Sequence, residues 1–247
     1  MKITFLGTSH GYAEKNRFCS GTLIEVGGHS YLIDAGAPIE GQMVNMDKPY
    51  SDLRGVFITH MHTDHVAELP AVVEPLMRFR YNDQVTCFMP EKEGLDAFDV
   101  WMKALHVDVE KMHQIVTFGV TKAGVIFENE DVKVTAIPTS HLQHLDPPAP
   151  AWSYQVEAEG KKVFFSGDMS HNFPEFSKNV AEGGYDLVIC EMAHSDLEVV
   201  QDILKAAPTR RMIINHYHMP RLVNYEKILP TFPFEVHLAV DGEVIDL

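Results

Sequence analysis

Short apolar runs separated by polar turns dominate this chain, and the period of the apolar positions changes along it. Lys2–Leu6, Gly21–Val26 and Ser30–Asp34 each predict a strand, and the Gly27-Gly28 pair between the last two predicts a hairpin turn. Arg54–Thr59, centred on Val56-Phe57-Ile58, predicts another strand. From Val66 to Arg80 the spacing of Leu69, Val72, Val73, Leu76 and Met77 predicts a helix, with Pro70 tolerated in its first turn and Pro75 marking a kink. Leu95–Leu105 predicts a second helix. Strands follow at Val132–Ile137, Trp152–Glu157, Lys162–Ser166, Leu187–Cys190, Met212–Asn215 and Val236–Val240; Asp241-Gly242 then predicts a hairpin into Val244–Leu247. Between them, Leu197–Ala207 predicts a helix with Ser195 or Asp196 as N-cap and Pro208 beyond its end. Many short strands with interspersed helices and hairpins at both ends predict an α/β sandwich of mixed sheets, since a doubly wound parallel sheet needs fewer hairpins. No repeat or low-complexity linker divides the chain, so one domain over residues 1–247 is expected. The Leu69–Met77 stretch suits either a core or an interface, which leaves a homodimer open.

Composition narrows the function classes. No apolar run approaches the roughly 18–20 residues of a membrane span, so no membrane partner is expected. The start, Met1–Thr8, reads as a strand rather than a signal peptide. Three cysteines, Cys19, Cys87 and Cys190, are widely spaced and odd in number, which points to a reduced, cytoplasmic compartment. Asp and Glu number 35 against 20 Lys and Arg, a net charge of −15. That balance argues against a large RNA or duplex DNA as partner, because phosphate contacts supply most non-specific affinity. Histidine is the departure from average usage, with 14 copies, and they cluster.

The densest cluster is His60-Met61-His62-Thr63-Asp64-His65, between a predicted strand and a predicted helix. At an extended strand end, residues i and i+2 point the same way, so His60 and His62 can converge on one point. Asp64 and His65 enter the helix and can face a second point nearby. Imidazoles and a carboxylate in this arrangement suit zinc first, with manganese or iron as alternatives.

The HxHxDH pattern resembles the signature of the metallo-β-lactamase superfamily, and further motifs occur in that family's order. His141 follows the strand Val132–Ile137; Ser166-Gly167-Asp168 ends another; His216 follows Met212-Ile213-Ile214-Asn215; and Leu32-Ile33-Asp34-Ala35-Gly36 matches the family's hairpin acid. The resemblance spans nearly the whole chain. It implies the family's four-layer αββα sandwich of two mixed β-sheets and a site for two divalent metal ions. One ion would take His60, His62, His141 and Asp168; the other would take Asp64, His65, His216 and the shared Asp168. His144 is the rival to His141. Glu68 stands where the family usually has glycine and reads as an exposed helix residue. Ribonuclease Z-like members carry a His-Glu pair near residue 190, whereas this chain has Cys190-Glu191.

For catalysis beyond the metals, Asp64, His171, His194 and His218 are the candidates, with His10 in the Leu6–Gly11 loop; His29, His106, His113 and His237 read as structural or exposed. The implied reaction is hydrolysis by a metal-bridging hydroxide, with one imidazole protonating the leaving oxygen. The Phe5–Gly11 start resembles the ribonuclease Z-like and cyclic-phosphate phosphodiesterase branch. Members of that branch that process transfer RNA carry a long arm between the third histidine and the bridging aspartate, and here only residues 142–167 lie between them. Tight basic pairs include Arg78 with Arg80 and Arg210 with Arg211. A small phosphodiester or cyclic phosphate is therefore the expected substrate. A carbonyl hydrolase (lactonase or thioesterase) and a non-hydrolytic diiron protein are the alternatives.

Overall fold

The computed structural model describes residues 1–79 and 85–247. Arg80, the end of the predicted helix and one half of a basic pair, lies outside the described residues. In chain order the elements are β1 (Lys2–Gly7), β2 (Gly21–Val26), β3 (His29–Ile33), α1 (Ile39–Asn45), β4 (Leu53–Phe57), α2 (Thr63–Val66), α3 (Leu69–Phe79), β5 (Val85–Met89), α4 (Lys92–Ala104), α5 (Val109–Ile115), β6 (Val116–Val120), β7 (Gly124–Glu128), β8 (Lys133–Thr139), β9 (Ala151–Ala158), β10 (Lys161–Phe165), α6 (Phe176–Asn179), β11 (Leu187–Met192), α7 (Leu197–Lys205), β12 (Arg211–Tyr217), α8 (Tyr225–Ile228), β13 (Glu235–Leu238) and β14 (Val244–Asp246). They form two seven-stranded sheets, ordered β14-β1-β2-β3-β4-β5-β6 and β13-β12-β11-β10-β9-β8-β7. Each sheet is antiparallel on one side and parallel on the other, β3 to β6 in the first and β10 to β13 in the second.

The layering follows from period-2 burial. In β10 and β11, Val163, Phe165, Leu187 and Ile189 join Ile3, Phe5, Ile24, Ile33 and Phe57 of the first sheet in a core between the sheets. Their neighbours Phe164, Val188 and Cys190 face the other way, against Phe176, Leu197, Val200 and Leu204 of α6 and α7. On the outer face of the first sheet, Leu32 and Val56 pack against Leu69, Val72, Val73 and Leu76. Helix–sheet–sheet–helix is the resulting order, the four-layer sandwich of the metallo-β-lactamase fold. Leu69–Leu76 is thus core rather than interface. Burying each such side chain contributes roughly 1.5–3 kcal/mol.

One expected turn is absent. Asp241-Gly242 does not close a hairpin: β13 pairs with β12 in one sheet and β14 with β1 in the other. The Asp241 carboxylate explains the crossover, since it accepts from the Thr8 amide (2.9 Å), the Thr8 hydroxyl (2.6 Å) and the Phe18 amide (2.6 Å), pulling the chain to the first sheet. The Gly27-Gly28 turn does form, both glycines having positive φ, and joins β2 to β3. No helix among the described residues is long and apolar enough to cross a membrane.

Candidate metal centre

The parallel strands end on one rim, and the ligand candidates sit there. The chain leaves β4 through Thr59, whose amide (2.8 Å) and hydroxyl (3.0 Å) both donate to Asp34 Oδ1 at the end of β3. Asp34 holds a left-handed backbone, φ 63°, that turns its carboxylate inward. Its other oxygen accepts from His65 Nδ1 at 2.7 Å, which fixes that ring's tautomer and leaves Nε2 facing the rim. The Asp64 and His65 carbonyls accept from the Ser20 and Ala35 amides, stitching the HxHxDH turn to the hairpin below it.

Three further side chains arrive singly. His141 follows β8; its Nδ1 donates to the Met169 carbonyl (3.3 Å), leaving Nε2 3.4 Å from His62 Nδ1. Asp168 follows β10 behind Gly167, whose positive φ and close approach to the Trp152 carbonyl leave no room for a Cβ. Asp168 Oδ2 lies 3.5 Å from Nε2 of both His60 and His65, and its Oδ1 lies 3.4 Å from His216 Nε2. His216, in β12, is also 3.6 Å from Asp64 Oδ2. The donors fall into two sets, His60, His62, His141 and Asp168 in one and Asp64, His65 and His216 in the other, with Asp168 reaching both.

These spacings fit shared cations better than hydrogen bonds. Contacts of 3.4–3.8 Å are too long for N–H···O bonds. The buried Nε2 atoms of His60 and His65 and the buried Oδ1 of Asp168 have no hydrogen-bond partner, an arrangement that costs free energy unless something binds them. Tetrahedral donors about 2.1 Å from an ion stand about 3.4 Å apart. Protonation suits the same role. Burial, reinforced by the His65 charge, drives His60 well below the usual histidine range, and burial lowers His62 and His141. Burial disfavours the Asp168 charge, yet His216, His65 and His60 outweigh it and hold the carboxyl well below its usual range. His65 differs: against its burial, Asp168 and Asp34 raise it well above the usual value, so metal binding there releases a proton.

Beside these donors lies a pair whose imidazole, His194, the sequence names as a catalytic candidate but whose hydrogen bond to Glu191 it does not show. Glu191, in β11, accepts from His194 Nδ1 (2.9 Å) and from the Met169, Ala193 and His194 amides. His194 Nε2 is 3.8 Å from Asp168 Oδ2, and its ring centroid is 4.5 Å from that of His141. Burial opposes its charge, but the Glu191 hydrogen bond and the Glu191 and Asp168 charges push His194 up to about 9. Position 190 faces the helix-side core as Cys190, so the imidazole comes from residue 194, three beyond Glu191, a spacing at a strand end that the sequence shows.

The remaining candidates belong to neither donor set. His171 is exposed and donates to the His194 carbonyl at 2.9 Å. His218 stacks on His10 with ring centroids 4.0 Å apart, and His10 Nε2 is 3.5 Å from Glu14. His144 is exposed and donates to the His141 carbonyl. Glu68 is not an exposed helix residue: it is half-buried just ahead of α3, and its carboxylate accepts from the Glu40 amide in the first turn of α1 (2.7 Å). His29, His113 and His237 pair with Asp131, Asp99 and Glu243.

Comparison with known proteins identifies relatives of the whole chain. Ribonuclease Z from Mycobacterium sp. (strain KMS) is 25% identical over 98% of this chain and 94% of its own length. Human tRNase Z, short form, superposes over 100% of this chain and 99% of its own, with a TM-score of 0.78 at 20% identity. The metallo-β-lactamase fold protein YhfI from Bacillus subtilis gives 0.77 at 18%, covering 99% of each chain. Residues 1–228 match the family model described as anti-Pycsar protein Apyc1. The chain therefore belongs to the anti-Pycsar protein Apyc1 family, among the ribonuclease Z-like metal-dependent hydrolases of the metallo-β-lactamase superfamily.

Proposed function

We propose that this protein is a dinuclear metal-dependent phosphodiesterase whose substrate is a small phosphodiester or a cyclic phosphate, with zinc as the resident ion. His60, His62, His141 and Asp168 would hold one cation, and Asp64, His65, His216 and Asp168 the other. Two such ions, when bound, lower the pKa of a water and offset charge building on phosphoryl oxygens.

The observation that carries the reading is the Glu191–His194 pair against the shared carboxylate. His194 donates its Nδ1–H to Glu191, whose hydrogen bond and charge favour the imidazolium form, and that form carries a second proton at Nε2 facing the site. A protonated imidazole there can donate to a leaving alkoxide, the poor leaving group of a phosphodiester. Asp34 acts through His65, holding its ring in register. His171 acts on the backbone behind His194 rather than on substrate.

The size limit rests on two features. Residues 142–167 are used by the loop to β9 and by β9 and β10 themselves, with none left for a projecting arm. The net charge of −15 opposes a long polyanion. The test is a substrate panel on the metal-loaded enzyme: bis(p-nitrophenyl) phosphate, cyclic nucleotides, a lactone, a thioester and a precursor transfer RNA. Turnover confined to the small phosphodiesters supports the reading. Preferred turnover of the lactone, thioester or transfer RNA overturns it.

A further inference from the structure

Outside the donor sets, one carboxylate is spent entirely on the two loops that deliver His141 and Asp168. Glu175 Oε1 accepts from the Ser140 amide (3.0 Å) and the Ser170 amide (3.2 Å), and Oε2 accepts from the Ser170 hydroxyl (2.9 Å). The two serine hydroxyls also bond each other at 2.9 Å. Ser140 immediately precedes His141 in the chain, and Ser170 lies two residues beyond Asp168. One side chain therefore spans the gap between the end of β8 and the end of β10.

Glu175 is itself firmly anchored. Phe173 and Phe176 on either side of it are fully buried in the core beneath the second sheet. Asn179, at the end of α6, which begins one residue after Glu175, donates to the Pro138 carbonyl of β8 (3.2 Å). A half-buried carboxylate with three donors on it belongs to the strong class of charge-assisted bonds. Those bonds, with burial opposing, hold its carboxyl below the usual range.

We propose that Glu175 is a positioning residue for the metal centre: it sets the separation of His141 and Asp168 and so the affinity of the first donor set. The inference rests on the dinuclear reading above. Without the Glu175 carboxylate, the Ser140 and Ser170 amides lose their acceptor and the loops can part, while the strands below stay paired. Outer partners of this kind typically contribute about 10–100-fold to metal affinity.

The test uses Glu175→Ala and Glu175→Gln in the full chain, each compared with the parent protein. Zinc affinity is measured by chelator competition, cobalt-substituted absorption spectra report the geometry of the donor set, and thermal unfolding is followed without metal. The expected result is a zinc affinity about 10–100-fold weaker in Glu175→Ala, with an altered cobalt spectrum. Glu175→Gln, which keeps one acceptor oxygen, falls between the two and melts metal-free within a few degrees of the parent. Affinity within twofold of the parent in both variants, with unchanged spectra, overturns the assignment, as does a loss confined to metal-free stability. A parent chain that binds no zinc contradicts the dinuclear reading itself, an outcome separate from the other two.

Discussion

The two sheets supply the centre in different ways. The first delivers four candidate ligands from one six-residue turn, braced by the single carboxylate of Asp34. The second delivers His141, Asp168 and His216 from three strand ends that are distant in sequence, and braces the first two with Glu175 and Glu191. A contiguous turn keeps its ligands together by local geometry. A dispersed set depends on strand register and on outer carboxylates, so it should be more sensitive to changes made outside the ligands.

The largest effect expected on either side is at the residue joining the two sets. Asp168→Ala removes the donor common to both, and hydrolysis should fall to background with metal content reduced by at least half, read by elemental analysis. His194→Ala should retain both metals and lose roughly 10²–10⁴-fold in kcat, the usual contribution of a positioned proton donor. Asp34→Ala breaks the support of the first sheet's turn; zinc affinity should fall about 10–100-fold, and a smaller loss than that seen at Glu175 would confirm the greater fragility of the dispersed set.

The next effect is one of pH. Glu191 and Asp168 raise His194 to about 9 in the metal-free chain, so its proton is present below that value and lost as pH rises through it. An enzyme using that proton loses kcat on the alkaline side. Bound cations repel it and bring the limb below 9. Glu191→Gln removes the nearest negative charge and should shift the limb to lower pH still; an unshifted limb assigns the proton to another group. The smallest effect is at His144, which is exposed and donates to the His141 carbonyl. His144→Ala should stay within twofold of the parent rate.

The same asymmetry explains what could be read from the amino acids alone. The HxHxDH turn is legible because its ligands are neighbours, and β10 to β12 are legible because Val163–Phe165, Leu187–Cys190 and Met212–Ile214 are buried on both faces. β5, β6 and β7 and the helices α1 and α5 went unpredicted. β7 carries exposed Gly124, Val125 and Glu128, an edge strand without clear alternation, and α1 and α5 have seven residues each, too short for a periodic face. The Asp241 crossover was hidden because its cause, the Thr8 and Phe18 amides, lies at the other end of the chain. His194 is legible as a candidate at a strand end, but its hydrogen bond to Glu191 is not, because that depends on how the chain turns after β11. The strand's alternation sends position 190 into the core and leaves the rim to residue 194.

The most direct test of the central claim is the zinc content of the purified chain before and after chelation, with hydrolysis of bis(p-nitrophenyl) phosphate followed on the same samples. Two ions per chain, activity lost on their removal and recovered on their return, is the result expected here. A chain that holds no more than one ion at full activity, or hydrolyses undiminished after chelation, contradicts it.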